Sequence, residues 1–201
     1  PIGAGIAFAN KYKKNRNVCF TYFGEGAANQ GQVYEAFNMA SLWKLPVVFV
    51  IENNQYAMGT SMVRASSTDE MFARGLAFNI PGKAVNGMNV LDVAKEAAHA
   101  ADHCRAGKGP FILEMKTYRY RGHSMSDPAK YRTREEVQKV REEKDPIDTL
   151  RSILIEKHKI SEKQFKATDA EIKVIVTEAS DFALNSPEPD IEELWTDVYA
   201  G

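Results

Sequence analysis

Cysteine is scarce in this 201-residue sequence, long apolar runs are absent, and charge of either sign is nearly balanced. Cys19 and Cys104 stand 85 positions apart inside apolar patterns. That excludes a disulfide-rich scaffold and a closely spaced thiolate cluster, and favours two buried free thiols in a reducing compartment over the alternative of one disulfide. No stretch approaches the roughly 18–20 apolar residues of a membrane helix, and no signal peptide leads the chain. A formal charge of −1 gives no global field for nucleic acid or an anionic membrane. An initiator Met is missing too: the chain opens on Pro1-Ile2-Gly3-Ala4-Gly5, already inside a helical pattern, as expected of part of a longer protein. What remains, 44% hydrophobic and 26% charged, is the profile of a soluble globular domain able to bury a core.

Residues 18–23 and 47–51 are short β-branched and aromatic runs, the mark of strands buried on both faces. Between them Val33, Ala36, Phe37 and Ala40 recur at helical spacing. Strand, helix and strand in succession predict a βαβ unit, hence a parallel sheet with a right-handed crossover. Ser67-x-x-Glu70 reads as a capping box opening a short helix. Val90, Ala94, Ala97, Ala98 and Ala101 then form an apolar stripe on a helix ended by Gly107 and Gly109. His99 and His103 fall opposite that stripe with Asp92 and Glu96, a solvated face rather than a metal site, while Cys104 points inward. Residues 111–115 make a third strand. Beyond a long aperiodic segment, Thr133-x-x-Glu136, Asp145-Pro146 and Ser161-x-x-Gln164 each start a helix. The expected fold class is α/β: a parallel sheet flanked by helices, with a helical C-terminal tail.

Ligands of open parallel sheets bind where adjacent strands end. Glu25 and Asn54 occupy two such ends, 29 positions apart, with one crossover helix between them. Glu25 offers a hard carboxylate, Asn54 an amide oxygen, and the turn at Gln55-Tyr56 a backbone carbonyl. Mg²⁺ takes such oxygens and fills its shell with phosphate and water. Gly24 and Gly26 permit close backbone approach, and the helix opening near residues 29–31 presents free N–H groups to an anion. Either turn alone reads as an ordinary loop; the pair across one βαβ unit favours a metal–diphosphate site. A dinucleotide fingerprint is incomplete, because neither Gly3-x-Gly5-x-x-Phe8 nor Gly24-x-Gly26-x-x-Asn29 has its third glycine.

The "GEG" at residues 24–26 followed by "NN" at 53–54 resembles the thiamine-diphosphate motif, usually written GDG and NN at comparable spacing. "GEGAANQGQVYEAFNMASLWKLPVVFVIENNQYAMGTS" and "TYRYRGHSMSDPAKYRTREEV" extend the likeness over nearly the whole chain. They resemble the α subunits of the decarboxylating component of 2-oxo acid dehydrogenase complexes, the pyruvate-type members in particular. Glu25 departs from the Asp usual in that type and matches branched-chain relatives. The resemblance implies a thiamine-diphosphate-binding α/β core over residues 1–133, N-terminally incomplete and including a mobile loop at 116–133, with a helical extension at 134–201. It implies Mg²⁺ ligation by Glu25, the Asn54 side chain and the Tyr56 carbonyl, diphosphate contact at Gly26 and Ala27, and a loop histidine, His123, reaching the cofactor and the active-site entrance.

The same resemblance implies decarboxylation of pyruvate with acetyl transfer to a lipoyl domain of the dihydrolipoyl acyltransferase. The activating glutamate would come from a β subunit in an α₂β₂ assembly. Met39, Trp43, Met58 and Met62 supply soft surface suited to an interface core. A bacterial cytoplasm or a mitochondrial matrix would be the compartment. Ser124 stands where mitochondrial relatives are phosphorylated, whereas a second regulatory serine is replaced by Lys130. The basic, tyrosine-interleaved loop at 116–133 invites a nucleic-acid reading, but no RNA-binding motif accompanies it. Two alternatives stay open: a branched-chain or acetoin-type α subunit, and a scaffolding subunit that keeps the fold without the cofactor.

Overall fold

The computed structural model describes residues 1–198; residues 199–201, the end of the expected C-terminal extension, lie outside the described residues. Contacts divide the chain into a unit ending at Arg151 and a second unit from Ser152 onward.

The first unit opens with helix α1 (Ile2–Tyr12) and strand β1 (Cys19–Gly24). A 3₁₀ turn (Ala27–Asn29), α2 (Gly31–Leu42) and β2 (Val47–Asn53) follow. Two-residue strands β3 (Tyr56–Ala57) and β4 (Thr60–Ser61) pair antiparallel before α3 (Met62–Ala65). Then come a 3₁₀ segment (Met71–Phe78), β5 (Gly82–Asn86), α4 (Val90–Arg105) and β6 (Phe111–Lys116). Helices α5 (Arg134–Lys144) and α6 (Pro146–His158) continue, α6 running across the division, and α7 (Glu162–Asn185) dominates the second unit.

The sheet is parallel throughout, in the order β1-β2-β6-β5. β2 is central, which explains its unbroken apolar run. Val47, Phe49 and Ile51 join one core cluster with Ala36, Phe37 and Ala40 of α2 and Ala4 and Ala7 of α1. Val48 and Val50 join a second cluster with Leu113, Met115, Ala100 and Cys104. A strand buried on both faces has no polar position to alternate with. Phe37 packs edge-on to Phe49 with ring centroids 4.7 Å apart, and its truncation to Ala would cost about 3–5 kcal/mol.

Three expectations need correction. The sheet has a fourth strand, β5 at its edge; its "GKAVN" carries only one buried residue, Val85, too little apolar pattern to read. Ser67-x-x-Glu70 does not form a capping box: Glu70 itself precedes a 3₁₀ segment without a side-chain cap, and its N–H donates to Thr68 Oγ1. On α4 the buried residues are Glu96, Ala100, Ala101 and Cys104, whereas Val90, Ala94 and Ala98 are exposed. Alanine is too small to mark the inner face by itself. Glu96 is therefore buried rather than solvated, its carboxylate accepting from Lys83 Nζ at 2.6 Å, which holds its pKa below the ordinary value. His103 is half-buried beside the Phe111 ring, and desolvation lowers its pKa. The N-cap signals of the C-terminal helices are present: Thr133 Oγ1 accepts from Glu136 N–H, Asp145 Oδ1 from Ile147 N–H, and Ser161 and Gln164 form a reciprocal capping box.

Candidate metal and diphosphate site

Parallel pairing sets Gly24 opposite Glu52, so β1 and β2 end together and deliver Glu25 and Asn54 to one edge. Glu25 is buried, 2% exposed. Its Oε2 accepts the Asn54 N–H at 3.3 Å, while Oε1 is buried with no partner among the described residues. An orphaned buried carboxylate oxygen is costly, and a cation would relieve it. Asn54 Oδ1 accepts the Tyr56 N–H at 3.3 Å, closing an Asx turn. Gln55 and Met58, on either side of Tyr56, hold φ of 76° and 54°, the left-handed region that a side chain disfavours. The Tyr56 carbonyl accepts from Arg119 Nη1 at 2.9 Å. A carbonyl has two lone pairs, so one remains for a cation.

Gly26 meets a packing demand in addition to the backbone approach expected of it. A Cβ there would stand 2.5 Å from Ala57 Cβ, so its missing side chain lets the β3–β4 hairpin lie against the Glu25 turn; a Cβ at Gly24 would meet open space. Ala27 begins the 3₁₀ turn, and α2 starts at Gly31 with no side-chain cap. Arg74 Nη1 braces this turn by donating to the Ala28 carbonyl, Asn29 Oδ1 and Tyr34 Oη at 2.8–3.0 Å. On the other side of the β2 end lies a cavity of about 430 Å³ bordered by Tyr22, Glu52, Asn54, Thr117, Tyr118 and Arg119.

The aperiodic segment after β6 folds onto the hairpin. Arg119 Nη2 donates to the Met58 carbonyl at 2.7 Å and to Tyr131 Oη at 2.9 Å, and the Tyr56 and Tyr131 rings lie 5.1 Å apart. Arg132 sits over the Tyr118 ring at 5.2 Å and donates to the carbonyls of Arg119 and Arg121. Asp127 organises the tip. Its carboxylate accepts the N–H groups of His123 and Ala129 and the Tyr131 hydroxyl at 2.7–2.8 Å. Those three donors hold its pKa down to about 2. Burial, with the hydrogen bond to Glu136, pushes the Tyr118 phenol up to about 12.

The structure thus brings Glu25, Gly26, Asn54 and Tyr56 together. His123 is exposed and reaches Tyr56 only through Asp127, Tyr131 and Arg119 among the described hydrogen bonds. Sequence reasoning missed Asp127 and Glu114, and gave Asn53 no role beyond its place in the "NN" pair. Glu114 had left a signal, a lone charge inside the apolar strand "FILEM". Among the described residues no three His, Cys, Asp or Glu side chains gather in a metal-binding group. A cation at this edge would rest on one carboxylate with amide and carbonyl oxygens, the hard set that Mg²⁺ accepts.

Residues 1–192 match the family model described as "Dehydrogenase E1 component". The chain is 57% identical over 197 residues to a pyruvate dehydrogenase E1 component subunit alpha of Rhizobium meliloti, covering 98% of this chain and 57% of that protein. It is 55% identical over 201 residues to the Zymomonas mobilis protein of the same name, covering 100% and 56%. It is 52% identical to a testis-specific mitochondrial form from Rattus norvegicus, covering 99% of this chain and 51% of the rat protein. The chain therefore spans just over half the length of these relatives, which include bacterial and mitochondrial forms. With an α/β parallel sheet and a family match over nearly its full length, the chain belongs to the dehydrogenase E1 component family.

Proposed function

We propose that this chain carries the metal–diphosphate half of a thiamine-diphosphate site in the α subunit of a pyruvate dehydrogenase E1 component. The observation that carries the reading is the buried Glu25 carboxylate, one oxygen on the Asn54 N–H and the other without a partner among the described residues. Glu25, Asn54 Oδ1 and the Tyr56 carbonyl would ligate Mg²⁺, with Gly26 and Ala27 placing backbone against the diphosphate and α2 directing its uncapped N–H groups at the anion. Thiamine diphosphate, when bound, supplies the electron sink that decarboxylation of a 2-oxo acid requires. The protein's part is to fix the anionic end and to exclude water with the 116–133 loop. His123, whose backbone Asp127 pins, would reach the site entrance from that loop.

The reaction proposed is oxidative decarboxylation of pyruvate with acetyl transfer to a lipoyl group on the dihydrolipoyl acyltransferase, in an α₂β₂ assembly whose β subunit contributes the activating carboxylate. The names of the similar proteins support pyruvate as substrate. Glu25 in place of Asp supports a second reading, a branched-chain or acetoin-type substrate, which turnover with different 2-oxo acids separates. The test is titration calorimetry of the full-length α subunit, assembled with β, with Mg²⁺ and thiamine diphosphate. Saturable binding that Glu25→Ala abolishes is expected; a wild-type assembly that binds nothing would overturn the reading.

A further inference from the structure

We propose that Glu114 is a positioning residue for the metal site: through Asn53 it fixes the turn that aims Asn54 and Tyr56. The inference rests on the metal reading above and assigns a role to a residue outside the ligand set.

Glu114 lies in the middle of β6 beside Ile51 of β2, and both it and Asn53 are fully buried. A carboxylate in an apolar core is expensive unless its oxygens are occupied. Here Oε1 accepts from Asn53 Nδ2 at 2.7 Å and Oε2 from the Phe72 N–H at 3.2 Å. The second hydrogen of Asn53 Nδ2 points to Met62 Sδ at 3.0 Å. Asn53 Oδ1 accepts from both the N–H and the Nε2 of Gln55, at 3.2 and 3.1 Å. All four hydrogen-bonding positions of the amide are thus in use.

A carboxylate offers only acceptors, so it dictates which end of the Asn53 amide faces it. The nitrogen must point to Glu114, and the oxygen is left to face Gln55. Were the amide reversed, Nδ2 would meet two donors of Gln55 and Oδ1 would meet a carboxylate. Gln55 is the residue that needs holding, because its φ of 76° is unfavourable for any side chain but glycine's hydrogen. It stands between Asn54 and Tyr56, so its backbone sets the separation of two proposed ligands. A hairpin with two-residue strands cannot hold that geometry alone.

The test uses the full-length α subunit assembled with β, with Mn²⁺ as the probe and thiamine diphosphate present, read by electron paramagnetic resonance. Glu114→Gln puts a donor against either the Phe72 N–H or Asn53 Nδ2, and the second conflict is relieved only by reversing the Asn53 amide. Outer partners of metal ligands typically contribute about 10–100-fold in metal affinity, and a loss in that range is expected. The double variant Asn53→Asp with Glu114→Gln exchanges donor and acceptor, restoring every bond except that to Met62 Sδ. It is expected to recover most of the lost affinity. Gln55→Met, at a half-buried position, removes only the Nε2 bond and is expected to weaken Mn²⁺ in the same direction, by less. A residue that only packed the core would lower melting temperature and leave Mn²⁺ affinity of the folded assembly unchanged. Wild type that binds Mn²⁺ while Glu114→Gln binds it equally, or a double variant no better than the single, overturns the inference alone. A wild-type assembly that does not bind Mn²⁺ overturns the metal reading and the inference with it.

Discussion

The α-carbon of Gly26 faces the Ala57 methyl so closely that a Cβ added at Gly26 would stand 2.5 Å from it. Gly26→Ala is expected to push the hairpin off the Glu25 turn, an overpacking loss of about 1–3 kcal/mol. Ala57→Gly in the same chain should restore most of it. Thermal unfolding of both variants checks this, and failure of the second substitution to rescue the first would show that the glycine serves something other than this contact.

Glu25 Oε2 accepts the backbone N–H of Asn54 at 3.3 Å, a bond that Asn54→Ala leaves in place, so coupling between the two side chains would report a shared cation. Asn54→Ala should weaken cofactor binding by less when Glu25 is already Ala. Groups in contact couple by about 0.5–3 kcal/mol in such cycles. Calorimetric affinities of the four forms give the number directly, and strictly additive losses would speak against one ion between them.

Asp127 ties pH to the loop. Its folded pKa of about 2 lies below the ordinary 3.8, so its ionised form stabilises the tip fully above 3.8, and the contribution fades as pH falls through about 2. An NMR titration of its carboxyl carbon should have its midpoint near the lower value. Near neutral pH, Asp127→Asn cannot accept on both oxygens, so the amides of His123 and Ala129 should exchange faster. Unchanged exchange would remove Asp127 from its role.

Loop order should also follow the cofactor. Arg119 meets the hairpin at the Tyr56 and Met58 carbonyls, beside the proposed ion, and Tyr131 accepts from Arg119 and lies against the Tyr56 ring. Hydrogen exchange of residues 116–133 in the α/β assembly should slow on adding Mg²⁺ and thiamine diphosphate. Equal protection with and without them would separate the loop from the site.

The thiols should differ in reach. Cys104 is buried, with its Sγ directed at the Val47 carbonyl at 3.6 Å, and burial pushes its pKa up to about 12; Cys19 is half-buried and raised by the same cause. Thiolate is the reactive form, so alkylation of the native chain should label Cys19 first and Cys104 only on unfolding. Mass spectrometry of the labelled peptides decides it; equal rates would contradict the burial.

Much of this molecule was readable from residue order. A strand buried on both faces must be apolar throughout, so β2 declared itself, as did α2 through Ala36, Phe37 and Ala40. Helix starts announced by Thr133, Asp145 and Ser161 are local hydrogen bonds between near neighbours, and local bonds follow from local sequence. Glu25 and Asn54 could be placed on one edge because a βαβ unit leaves no other arrangement. The sequence could not reveal which face of α4 is inner, because alanines mark a helix face weakly and the choice belongs to the sheet it packs on. Nor could it reveal β5, an edge strand with one buried side chain. Gly26 against Ala57, Asn53 with Glu114 and Arg119 on Tyr56 join residues 31, 61 and 63 positions apart. Such partners are chosen by sheet order and loop closure, which no spacing along the chain encodes, and so only the tertiary structure decided them.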